Sequence, residues 1–126
     1  MWWFTKGKRR EIWDEEIQWP LGDLEAARKI REICDSAAGS AEKTGVGGAE
    51  TIAGKHEADR YKRAAKAAME IAIKISDDLL RDSAVCQIVV LCVKANDLKT
   101  AAILFRAVQA VSIRENTMKE HPALRP

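Results

Sequence analysis

Few residues in this chain stand at spacings that suggest chemistry. His56 lies in a stretch that also holds Glu50, Glu57 and Asp59, types that ligate metals or trade protons. On a helix, His56 and Asp59 share one face at three-residue spacing. A zinc or di-iron site needs three or four converging ligands, and the second histidine, His121, lies in the tail. The stretch is read as a solvated polar face, with no metal. The segment Gly45–Lys55, GVGGAETIAGK, has the glycine content of a phosphate-binding loop. That motif requires a glycine five residues before its Gly-Lys pair and a Ser or Thr after it. Ala49 and His56 stand at those positions, and Glu50 takes the last glycine position of the dinucleotide fingerprint. A helix–helix loop is the better reading.

The three cysteines, Cys34, Cys86 and Cys92, are odd in number, and two lie in an apolar run. That is not a disulfide framework. Cys86 and Cys92 are six apart, which on a helix turns them to different faces, so they cannot share a metal or a disulfide. Buried, reduced thiols in a cytoplasmic protein are expected. No catalytic constellation and no cofactor site emerges, and the chain is read as non-enzymatic.

Two clusters remain as binding candidates. Lys55, Arg60, Arg63 and Lys66 form a basic patch that could contact phosphate, although Glu57 and Asp59 break it up and favour a salt-bridged surface. The other is the N-terminal arm. All four tryptophans, Trp2, Trp3, Trp13 and Trp19, fall within the first twenty residues, together with Phe4 and the cations Lys6, Lys8, Arg9 and Arg10. Trp and Arg dominate binding hot spots, so partner docking is one reading. A membrane interface is another, and capping of the domain's own core by Trp13 and Trp19 is a third.

The totals bound what must position these groups. The chain has 126 residues, 47% hydrophobic and 32% charged, with a net charge of +2. That is one globular domain with no overall charge case for nucleic acid or anionic membrane. No segment has the ~18 uninterrupted apolar residues of a membrane span. Trp2-Trp3-Phe4 precedes the basic cluster and is too short for a secretory signal. The expected organisation is an arm at 1–20, one helical domain at 21–120 and a tail at 121–126.

Periodicity supplies the elements. Leu24, Ala27, Ile30, Cys34 and Ala37 step three and four apart, predicting a helix over Leu24–Ala38 capped by Asp23 and ended by Gly39-Ser40, with a loop over Ala41–Gly48. Tyr61, Ala64, Ala68, Ile71, Ile75 and Leu79 predict a second helix to Leu80, starting near Glu50 or Glu57. Its alanines suggest a closely packed neighbour. Asp82 or Ser83 is the next expected cap. The run Ala84–Val93 has one polar residue, Gln87, and is read as a buried helix to Ala95 because no other segment offers a strand to pair with it. Asn96 suits the left-handed conformation that ends a helix, and Asp97 caps the next, expected over Leu98–Met118. His121-Pro122 stops it.

Residues 83–113 resemble one tetratricopeptide repeat, a helix–turn–helix unit of about 34 residues. Ala84, Val85, Ile88 and Cys92 take the first-helix positions, Asn96-Asp97 the turn, Ala101 the small residue and Phe105 the aromatic. Val89 stands where the family prefers glycine, and Ile113 where it prefers proline. The resemblance covers about a quarter of the chain. It implies a protein-interaction module whose peptide face would be lined by Cys86, Val90 and Val93. These are apolar, so the face would take an apolar helix or be filled by the Leu24–Ala38 helix or a second copy.

The sequence thus predicts an all-α fold: a bundle or short stack of about four antiparallel helices, with a tetratricopeptide-like hairpin at 83–118. The expected function is a non-enzymatic protein–protein interaction or adaptor module, in which the protein partner is joined or replaced by a second copy in a homodimer. The alternatives are a nucleic-acid-associated regulator using the 55–66 patch and the arm, and a small-ligand-binding bundle with a pocket near His56 and Tyr61.

Overall fold

The computed structural model describes residues 11–47 and 51–125. The expectations placed on Trp2, Trp3, Phe4 and the arm's cations lie outside the described residues. Those described form five α-helices and no strand: α1 Asp23–Gly45, α2 Ile52–Ala72, α3 Asp78–Lys94, α4 Leu98–Phe105 and α5 Val111–Glu120. The all-α expectation holds, while several boundaries move.

The first helix does not stop at Gly39-Ser40. It continues to Gly45, because Ala37, Ser40 and Ala41 are buried against a neighbour and packing outweighs the cost of one glycine. The segment 41–45, expected as loop, is therefore helical. Gly22, not Asp23, occupies the N-cap. The Asp23 carboxylate instead accepts from the backbone N–H groups of Ser76 and Asp77, at 3.0 and 2.9 Å. These two bonds hold its pKa below the usual carboxylate range.

Thr51 caps α2 by accepting from the Gly54 N–H at 2.8 Å. The helix ends at Ala72, not Leu80. Residues Ile73–Ser76 turn the chain, with Ile75 pushed into the core and its carbonyl taken by Arg81 at 3.2 Å. Asp77 then caps α3 through the Leu80 N–H, in place of the expected Asp82 or Ser83.

The α3–α4 turn follows the sequence reading closely. Asn96 adopts φ +56°, and the Asp97 carboxylate accepts from the Thr100 N–H at 3.3 Å. The single helix expected over Leu98–Met118 is instead two, α4 and α5, separated at 106–110. No glycine or proline marks this break. One side chain distant in sequence, Asp82, and one from the helix that follows, Arg114, sustain it. Asp82, buried at 5% exposure, accepts from the N–H groups of Gln109 and Ala110 at 3.1 and 2.9 Å. Arg114 donates to the Phe105 and Val108 carbonyls at 2.7 and 2.9 Å and lies over the Phe105 ring. Backbone groups that a continuous helix would have paired internally are satisfied there. Beyond α5, residues Pro122–Leu124 form a 3-10 turn, with Leu124 packed on the core.

α1 and α3 lie side by side and run parallel. Asp23 meets the start of α3, and Gly45 meets its end, where a Cβ would collide with the Lys94 carbonyl. α2 returns between them. Its Ala64, Ala68 and Ala72, four residues apart, are fully buried, as the alanine pattern suggested. With Ile30, Ile33 and Ala37 of α1 and Ile88, Val89 and Cys92 of α3, they form the core. The Tyr61 hydroxyl ties α2 to the hairpin turn by donating to Asp97 at 2.8 Å.

A candidate binding groove

The predicted basic patch is largely engaged within the protein. Arg60 donates to both carboxylate oxygens of Glu11, at 2.9 and 3.1 Å, and to the Ser40 hydroxyl at 2.7 Å. Its guanidinium sits 5.2 Å from the Trp13 ring centre. Arg63 pairs with Asp14 and, more loosely, with Asp59. Lys55 and Lys66 point outward and are exposed. Glu57 lies among these groups, and a hydrogen bond with Ser40 lowers its pKa. His56 is exposed, and no group of His, Cys, Asp and Glu among the described residues is arranged to hold a metal.

The two described tryptophans part company. Trp13, in a 3-10 turn at Ile12–Asp14, is buried at 7% exposure. Its indole Nε1 has no hydrogen-bond partner among the described residues. Trp19 stays 41% exposed, with the Lys74 ammonium 4.1 Å from its ring centre.

A concavity lies elsewhere, between α1, α3 and α5, with a volume of about 590 Å³. Cys34 from α1, Cys86 and Leu91 from α3 and Thr117 from α5 are its buried floor. Val90 and Ile113 are half-buried along it. Two cations, Arg31 and Lys94, and two anions, Asp35 and Glu120, stand at the exposed rim. The groove exists because the chain breaks at 106–110: α5 is set across α3 and leaves a gap to α1. Gln87 also lines it, and its side-chain oxygen is buried with no hydrogen-bond partner among the described residues.

The thiols are not poised for chemistry. Burial raises the pKa of Cys34 to about 12 and also raises those of Cys86 and Cys92. Thr117 lies 3.4 Å from the Cys86 sulfur and donates instead to the Ile113 carbonyl at 2.7 Å. Tyr61, expected beside a ligand pocket, is 2% exposed, and burial raises its pKa.

Of the face implied by the repeat resemblance, Cys86 and Val90 line the groove, while Val93 packs against the core. α1 closes one side of it. The contributions of Asn116, Ser112 and Ile113 were not legible, because they depend on an unmarked helix break. Gln87 did carry a signal, as the one polar residue in Ala84–Val93. No protein-family model matches this sequence, and neither a curated protein nor a solved structure matches it. Among the described residues, no helix is long and apolar enough to cross a membrane.

Proposed function

We propose that this chain is a non-enzymatic interaction module that receives an apolar-faced helix or peptide in the α1–α3–α5 groove. The observation that carries this reading is the groove itself: apolar along Cys86, Val90, Leu91 and Ile113, with charges of both signs at its rim. A helix laid in a groove is a common mode of peptide recognition, with anchors spaced three and four residues apart. The tetratricopeptide-like α3–α4 hairpin supports the same reading, since Cys86 and Val90 fall on the face that the resemblance implies. The three buried, unpaired thiols suit a reducing compartment such as the cytoplasm.

Panning a random peptide library against the full chain tests this. Enriched sequences should carry apolar residues at helical spacing, and Val90→Arg or Ile113→Arg should abolish their binding. Both sites are half-buried at the groove, so folding is checked alongside by circular dichroism. Failure to enrich any peptide, or enrichment indifferent to both substitutions in folded protein, removes the reading.

A further inference from the structure

One pole of the bundle exposes large apolar side chains. Leu24 is 71% exposed, Ile73 67% and Leu79 62%. They share this pole because Asp23, beside Leu24, holds the amides of Ser76 and Asp77, which lie between Ile73 and Leu79. Trp19 joins them through its stacking on Lys74. Exposed apolar surface rimmed by polar groups marks interaction sites. The charged residues on the adjoining segments are Asp23, Glu25, Glu70, Asp77 and Asp78 against Arg28, Lys74 and Arg81, with Asp78 paired to Arg81, which leaves an acidic excess.

The complement to this surface lies in the same sequence. Residues 1–10 carry Trp2, Trp3 and Phe4, then Lys6, Lys8, Arg9 and Arg10, and no acidic residue. Those four cations exceed the whole chain's net charge of +2, so the rest of the chain is net acidic. An apolar triplet followed by a basic run matches an apolar pole with an acidic rim. Geometry favours an arm from another copy. The described chain enters at Glu11, held by Arg60, and runs along α2 to Trp19 beside Lys74. Arg60 and Lys74 are about 20 Å apart along that axis, at 1.5 Å per residue. An arm returning to its own pole would have to double back over residues 11–19, whereas a two-fold pair can exchange arms without reversal.

We propose that residues 1–10 dock on the Leu24–Ile73–Leu79 pole of a second copy, apolar residues on the pole and cations against its acidic rim, giving a reciprocal, arm-exchanged dimer. The test is sedimentation equilibrium of the full chain across concentration and salt. A dimer is expected that weakens as salt rises. Leu79→Glu and Ile73→Glu, both at exposed sites where folding is preserved, should each weaken it about tenfold or more. Reversing Lys8, Arg9 and Arg10 to Glu should do the same. Val90→Arg, in the groove, should leave the dimer unchanged, so this inference and the groove reading fail separately. A monomer at every concentration overturns the proposal, as does a dimer indifferent to the pole or arm substitutions.

Discussion

Helices α1 to α3 meet through alanines and isoleucines, and α4 joins them through Ala101 and Phe105, whereas α5 is placed by polar side chains. In the first region, Ile30, Ala64, Ala68 and Ile88 are fully buried, and close helix contact excludes water along the whole length. In the second, α5 buries only Thr117, and its position depends on Asp82, Arg114 and the capped hairpin turn. Non-directional burial produces a rigid frame. Directional hydrogen bonds across 27 and 28 residues of sequence then choose where the last helix sits. The groove lies where these two regimes meet, with one wall from the frame and one from the polar-placed helix.

The largest effect should come from the frame. Ile88→Ala removes a fully buried side chain at its centre. It should cost about 2–5 kcal/mol in denaturant unfolding, with all five helices lost together. If α5 melted alone, the frame would not be the stability core.

A smaller, local effect separates the two regions. Asp82→Ala strands the amides of Gln109 and Ala110 and should cost about 1–3 kcal/mol. Hydrogen exchange should show protection lost first at 109–120, with the amides of α2 still protected. Equal loss in α2 would mean that the two regions form a single cooperative unit.

The mildest perturbation is acid. Burial opposes ionisation of Asp97, yet hydrogen bonds from Tyr61 and Thr100 outweigh it and leave the pKa lowered. A carboxylate with a lowered folded-state pKa stabilises the fold above its unfolded value of about 3.9. That contribution is lost as pH falls through the lowered value. Thermal stability should therefore decline below about pH 4, and Asp97→Asn should flatten this decline. A decline of unchanged steepness in Asp97→Asn would place the acid-sensitive group elsewhere, with Asp23 the next to replace.

Legibility in the sequence follows the same division. The buried stripe of α2 from Tyr61 to Ile71, the apolar α3 and the Asn96-Asp97 turn were readable, because each depends on neighbours within four residues, whereas Leu79, expected on the same stripe, lies on α3 and is exposed. The path of α1 through Gly39 and Ser40 was not, because the burial that sustains it comes from other helices. The caps were misplaced for a related reason. Asp23 and Asp82 have the residue type of an N-cap, but their carboxylates serve backbone amides far along the chain. In the groove, Cys86 and Val90 could be assigned to a face from spacing, while Ile113 and Thr117 could not.

By itself the sequence determined that this protein is helical, where its alanine-rich contacts lie and where one hairpin turns, since periodicity and turn chemistry are local. Tertiary structure alone decided that α1 and α3 run parallel, that the last helix breaks at 106–110, and hence that a groove exists. Those outcomes depend on which distant backbone groups Asp23 and Asp82 satisfy, and no local pattern encodes such pairings.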